Sequence, residues 1–293
     1  MGNRSPTSPN DVVYLAHIII KKAVVLQMSM GVSFIGFGNM AQAIAKGLLS
    51  GGICEPGDVF VYDIASGPAK IAASLGFSIC ASGLEAAGNA PFVFLCVKPA
   101  QALEVCREIS GEMDSKVLVS IAAGVQVGQI EAALGQRGSV VRVMPNLPAT
   151  VGAAASAVCV PKLGDESLWP YSQVNLVFAS LGKVFTIVEG QMDAFVSLAG
   201  SSPAMVFMLV NSMADAGVAL GIPRREAIEM SAAAVFGSAK LVLESGEHPM
   251  LLKDMVCSPA GTTIEMVRSL ESDRFPSAII EALVACHDKC KLL

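Results

Sequence analysis

One hexapeptide constrains the fold of this chain more than any other segment. Gly36-Phe37-Gly38-Asn39-Met40-Ala41 follows a short apolar run, GVSFIG, and opens MAQAIAKGLLS, which reads as a helix. The first glycine permits a tight turn, and the second lets backbone come close to a bound pyrophosphate. The third position needs only a small residue, here Ala41, for the helix to pack on the strand. Strand, glycine turn and helix in that order begin a parallel α/β sheet.

The rest of the chain continues the pattern. DVFVYD, FSICAS, PFVFLCV at 91–97, KVLVSIAAG at 116–124 and SVVRVMPN at 139–146 read as strands. Gly51-Gly52 closes the first helix, and a second helical segment at 66–76 ends at Gly76. The fold class expected is α/β, a Rossmann-type doubly wound parallel sheet followed by an all-α C-terminal domain. Strands stop after about residue 189. Residues 191–200 read as helical. Pro203 to Gly221 follows, apolar nearly all round, with Ser202 as its cap and Pro203 at its first position, and then Arg224 to Glu244, ended by Gly246. A helix apolar on every side must be buried on every side, so the small helical domain calls for a partner subunit. The expected division is 1–29 as a leader outside the fold, 30–189 as the nucleotide-binding domain and 190–293 as the helical dimerisation and substrate domain.

Composition narrows the function classes. Among 293 residues, 53% are hydrophobic and 15% charged, which excludes disorder for most of the chain. The net charge is −5, without a basic block, and argues against a nucleic-acid partner. A mean hydropathy of +0.59 raises the membrane question. The longest uncharged stretches are broken by Pro145, Pro148 and Gly152, and by Gly200, Ser201, Ser202, Pro203 and Asn211. A spanning helix does not carry such punctuation, so the excess apolarity is assigned to oligomer interfaces. In the leader, Lys21 and Lys22 lie in the middle of an apolar stretch, where a signal peptide would put its cations first, and a transit peptide would be richer in Arg and Ser. A cytoplasmic location is expected. Met28 and Met30 immediately precede the first strand and point to an upstream start or a foreign leader. Eight scattered cysteines contain no CxxC. Cys286, His287 and Cys290 cluster without a second ligand pair, so packing is expected there and no metal.

Candidate cofactor residues fall where α/β sheets bind ligands, after strands. They are Gly36, Phe37, Gly38, Asn39 and Met40, with helix N-terminal amides facing an anion. Asp63 ends the second strand at the distance of an acid that accepts from a ribose hydroxyl. Its charge repels a 2′-phosphate, and no arginine follows in residues 64–69. Read this way it favours NADH over NADPH; the alternative is a solvated acid at a strand end. Cys96-Val97-Lys98-Pro99 ends one strand and Ala122-Ala123-Gly124 the next. Spacing alone leaves Lys98 open between ligand contact and a surface turn. Later, Cys257-Ser258-Pro259-Ala260-Gly261-Thr262-Thr263-Ile264-Glu265 reads as a loop delivering a helix N-terminus. Thr262 is the expected N-cap and Glu265 its capping-box partner. Free amides there suit a carboxylate; the alternative is a plain helix cap.

With these segments assembled, residues 31–290 closely resemble the pyrroline-5-carboxylate reductase family, which catalyses the last step of proline synthesis. FIGFGNMAQAIAKGLL, FLCVKPAQ, VSIAAGV, RVMPNLPATVG, GSSPAMVFM and LKDMVCSPAGTTIEMVRSLE carry the resemblance. It implies a Rossmann domain with NADPH or NADH, and helical domains interlocked as a homodimer, in many members a decamer of five dimers. It implies cofactor contacts at Gly36 to Met40, Lys98-Pro99 and Ala122 to Gly124. The substrate carboxylate would sit in the loop of Ser258, Gly261, Thr262 and Thr263. The Thr263 hydroxyl matches the family threonine that hydrogen-bonds the substrate ring nitrogen.

The sequence departs from the family at Ala260, where glycine is usual, at Met205, where many members carry tyrosine, and at Asp63, where a small or polar residue is common. The implied reaction is hydride transfer to a cyclic imine that protonates easily, so a loop with Thr263 and no histidine suffices. A 3-hydroxy-acid dehydrogenase would need a lysine facing the nicotinamide, for which Lys240 is the candidate. A catalytically dead nucleotide sensor would not need the complete substrate loop.

Overall fold

The computed structural model describes residues 30–291, so the expectations for the leader lie outside the described residues. The described chain divides into two compact units at Met192/Asp193.

The first unit is built on one eight-stranded sheet of order β3-β2-β1-β4-β5-β6-β7-β8. Its strands are β1 (Val32–Ile35), β2 (Val59–Tyr62), β3 (Ser78–Ile79), β4 (Phe92–Leu95), β5 (Val117–Ser120), β6 (Ser139–Met144), β7 (Ala154–Cys159) and β8 (Gly182–Ile187). The helices between them are α1 (Asn39–Ser50), α2 (Ser66–Ser74), α3 (Gly83–Gly88), α4 (Pro99–Ile109), α5 (Val127–Ala133) and α6 (Tyr171–Ala179). Every pairing is parallel except β6 with β7. β1, the first strand among the described residues, lies in mid-sheet: β2 and β3 follow to one side, β4 and its successors to the other. That reversal of order beside β1 is where such sheets open a crevice at the strands' carboxyl ends.

β1, β4 and β5 are buried on both faces, as continuous apolar runs in a parallel sheet require. Alternate residues serve two cores. Val32, Phe34, Phe92, Phe94, Val117 and Val119 pack with α1 and α6, where Phe34 stacks on Phe94 at 5.0 Å. Ile35, Val93, Leu95 and Leu118 pack with Ala102, Cys106 and Ile109 of α4 and Ile130 of α5.

β7 and β8 are additions to the sequence reading. AASAVC is made of small residues with little strand preference and follows closely on Pro148 and Gly152, so its pattern is silent. β8 lies at the sheet edge, with alternate residues exposed along its first half.

The second unit is helical: Met192–Phe195 runs into a π-turn at Val196–Gly200, here together α7, then α8 (Ser202–Ala219), α9 (Arg224–Ser245), α10 (Pro249–Met255), α11 (Thr262–Ser272) and α12 (Phe275–Cys290). The expected cap at Ser202 is not formed: Ser201 holds the N-cap position, its side chain makes no capping bond, and Pro203 lies in the first turn. Gly246 ends α9 in the left-handed region, φ +68°. Ala214 is the one buried residue of α8 in the single chain, while Phe207, Met208, Phe236 and Leu243 are more than half exposed. Glu189–Ala219, with mean hydropathy 1.5, is by length and composition apolar enough to cross a membrane. It contains a π-turn, Pro203 and the polar pair Asn211–Asp215, hydrogen-bonded at 3.0 Å.

Candidate active site

In the first unit the sequence-selected residues gather at the carboxyl ends of four neighbouring strands. Gly36 follows β1, Asp63 follows β2, Cys96 to Pro99 follow β4, and Ala122 to Gly124 follow β5. The strand ends are laced together by backbone. The Gly36 amide donates to the Tyr62 carbonyl at 2.8 Å, and the Cys96 amide to the Ile35 carbonyl at 2.8 Å.

The two glycines of the turn do different jobs. Gly36 has φ +85°, and a Cβ there would meet the Cys96 carbonyl oxygen at 2.7 Å. It is required by the fold itself. Gly38 has φ −70°, ψ −174°, and a Cβ there would meet nothing within 4 Å. It leaves open space ahead of α1, whose first turn has no acidic residue and whose N-cap has no side-chain bond. An open, uncapped helix N-terminus beside a bare Cα fits a dinucleotide's diphosphate.

Asp63 is tied to the same turn. Its Oδ2 accepts the Phe37 amide at 2.6 Å and its Oδ1 the Ala65 amide at 2.8 Å. Each carboxylate oxygen keeps a second lone pair for a ribose hydroxyl. Gln42 was not singled out by sequence, yet its Nε2 donates to the Phe37 carbonyl at 3.0 Å. The signal for it is only one polar residue in a helix that also carries Asn39, Lys46 and Ser50.

Lys98 is exposed at the N-cap of α4, with Pro99 opening the helix. Burial pushes the Cys96 thiol well above its ordinary range, which keeps it protonated. Ala122 is buried, and Gly124 takes φ +75°.

In the second unit, Ser258 to Gly261 form a tight turn in which the Gly261 amide donates to the Ser258 carbonyl at 3.0 Å. Ala260 stands at φ +57°, a left-handed conformation that explains why glycine suits this position. The Ser258 hydroxyl lies against the Gly261 Cα, leaving no room for a Cβ.

The capping box expected from Thr262 and Glu265 is not formed. Gly261 is the N-cap, extended at φ −78°, ψ 171°, and Thr262 and Thr263 lie in the first turn of α11. Glu265 instead accepts from Arg268 at 2.8 and 3.0 Å. No side chain caps α11. The loop presents a helix N-terminus with Thr263 half-buried and Ser258 and Thr262 exposed.

Two side chains outside these loops have local partners. Lys240 faces Glu244 at 3.7 Å, one turn along its own helix. His248 Nδ1 accepts the Met250 amide at 3.2 Å. Among the described residues no group of three His, Cys, Asp or Glu side chains could hold a metal ion.

Comparison with known proteins bears on both units. Residues 189–293 match the family model for pyrroline-5-carboxylate reductase dimerisation, and residues 31–124 match a model described as NADP oxidoreductase, coenzyme F420-dependent. A pyrroline-5-carboxylate reductase of Escherichia coli is 43% identical over 270 residues, 91% of this chain and 99% of that protein. The solved pyrroline-5-carboxylate reductase of Coxiella burnetii superposes with a TM-score of 0.82 at 29% identity, covering 90% of this chain and 98% of that one. The Plasmodium falciparum pyrroline carboxylate reductase, solved with NADP bound, gives 0.80 at 29% identity over 90% and 97%. A Rossmann-type unit with an open glycine turn, a helical unit matching the dimerisation model and 43% identity to a reductase over 91% of the chain lead to one conclusion: the chain belongs to the pyrroline-5-carboxylate reductase family.

Proposed function

We propose that this chain reduces 1-pyrroline-5-carboxylate to L-proline with NADH or NADPH. The observation that carries the reading furthest is the Ser258–Thr263 turn, which ends in an uncapped helix N-terminus with a threonine in its first turn. Such a turn suits a small carboxylate joined to a group that needs one hydrogen bond.

Gly36 to Met40, Lys98-Pro99 and Ala122 to Gly124 would hold the cofactor. When bound, the reduced nicotinamide supplies the hydride that ends on C5 of the imine, while a proton ends on the ring nitrogen. The amides of the Ser258–Thr263 turn hold the carboxylate. The Thr263 hydroxyl orients the ring nitrogen and relays its proton. An imine nitrogen is basic enough to be protonated without a strong buried acid. The chain's contribution is therefore chiefly positioning, which supplies about 7–11 kcal/mol in favourable cases.

The Asp63 charge, adjoining the turn at Phe37, disfavours a 2′-phosphate and supports a preference for NADH. The helical unit pairs two chains through its exposed apolar helices, and five such dimers form a decamer. Residues 30–189 form the cofactor domain and 190–293 the dimerisation and substrate domain, in the cytoplasm.

The test is Thr263→Ala. Turnover is expected to fall about tenfold or more, about 1.4 kcal/mol of barrier, with chiral chromatography identifying L-proline as the product. Unchanged turnover removes Thr263 from the mechanism.

A further inference from the structure

Phe37 is fixed from three directions. Its ring is fully buried, edge-on to Phe34 at 5.7 Å and to Phe77 at 5.9 Å. Its amide donates to Asp63 Oδ2 at 2.6 Å, and its carbonyl accepts from Gln42 Nε2 at 3.0 Å. The carbonyl of the next residue, Gly38, accepts the Gln42 amide at 3.0 Å, the first backbone bond of α1. Gln42 thus grips the turn through both backbone and side chain. Asp63 carries the grip onward to the chain after β2, through the Ala65 amide at 2.8 Å.

We infer that Asp63 and Gln42 are positioning residues that clamp both sides of Phe37 and so preset the Gly38–Met40 turn for a dinucleotide's diphosphate. This rests on the proposed cofactor reading and deepens it. Under the clamp, Asp63 acts on any dinucleotide through the turn, besides acting on the 2′ position through its charge. Gln42 acts through the turn alone. A flexible glycine-rich turn without side-chain ties must be ordered when the ligand arrives, at the expense of affinity. A turn tied at the Phe37 amide and carbonyl is already ordered.

The experiment is direct binding of NADH and of NADPH, by calorimetry, to the wild-type chain, Gln42→Met, Asp63→Asn and Asp63→Ala. Thermal unfolding identifies any variant that fails to fold. Amide hydrogen exchange at Phe37 is measured on the free chains. Gln42→Met keeps the length of the side chain and removes the donor. It is expected to weaken both nucleotides by the same factor, about three- to tenfold, with their affinity ratio unchanged. Asp63→Ala is expected to speed Phe37 amide exchange, to weaken NADH, and to move the ratio toward NADPH. Asp63→Asn retains one acceptor oxygen, so it should restore part of the exchange protection while still shifting the ratio.

Wild-type affinity for both nucleotides in Gln42→Met, with Phe37 exchange unchanged in Asp63→Ala, overturns the clamp. A folded wild-type chain that binds neither nucleotide overturns instead the cofactor reading on which it rests.

Discussion

The guanidinium of Arg142 lies 3.2 Å from Glu189 Oε1, and the same oxygen accepts the Val127 amide at 2.7 Å. One carboxylate thereby joins the buried arginine of β6, the start of α5 and the segment after β8. Glu189→Ala leaves a buried guanidinium without its partner, which is far costlier than losing a surface pair. Glu189 is itself more than a third exposed, so solvent screens part of the effect. A loss of about 1–2 kcal/mol in urea unfolding is expected, partly recovered when Arg142→Met is added. No loss in the single variant and no recovery in the double contradict this role.

The two turn glycines should respond differently to alanine. Gly36→Ala drives a Cβ onto the Cys96 carbonyl at φ +85° and should cost at least about 2 kcal/mol of stability. Gly38→Ala meets open space, so unfolding should be nearly unchanged while nucleotide affinity falls about tenfold or more. Calorimetric binding and denaturant unfolding on both variants check the pair. Equal stability losses, or unaltered affinity in Gly38→Ala, go against the assignment.

Ala260 occupies the left-handed region where a side chain costs about 1–2 kcal/mol. Ala260→Gly relieves that cost but frees the unfolded chain by about 0.4–1 kcal/mol, so stability should rise by no more than about 1.6 kcal/mol. Ala260→Val puts a branched side chain in the same conformation. It should lose more than about 1 kcal/mol and raise the KM for the imine. A valine variant indistinguishable from wild type means the turn does not hold this conformation.

Burial pushes the thiols of Cys54, Cys106 and Cys159 up from 9.0 to about 11. Unfolded thiols ionise first as pH rises, so this stabilisation is fully present below about pH 9. It declines as pH rises from about 9 toward about 11, where the unfolded thiols are ionised and the buried ones are not, and then levels. Urea unfolding at pH 8, 9.5 and 11 should show the decline, and Cys106→Ala should reduce its slope. An unaltered slope in Cys106→Ala assigns the decline to other groups.

The gathering of Gly36, Asp63, Cys96–Pro99 and Ala122–Gly124 at neighbouring strand ends is legible in the sequence because its signals are local. A strand, two glycines, a helix and an acid after the next strand sit within one short stretch, and the sheet then fixes their juxtaposition. Gln42 was not readable, because its role depends on which carbonyl the first helical turn brings near. At Thr262 the capping pattern misled, since Gly261 adopts the extended N-cap conformation and moves both threonines into the helix. Arg268, one turn after Glu265, took the carboxylate that the pattern had assigned to the cap. β7 was hidden by its alanines. The exposed apolar residues of α8 are legible in kind, because a helix apolar all round cannot be satisfied by so small a unit, whereas those of α9 are not.

The most direct test is the initial rate of NADH and NADPH oxidation by the wild-type chain with 1-pyrroline-5-carboxylate, at matched cofactor concentrations. The account predicts imine-dependent oxidation of both, faster with NADH, with L-proline formed in equal amount. Folded protein that binds nucleotide but oxidises neither cofactor in the presence of the imine would contradict it.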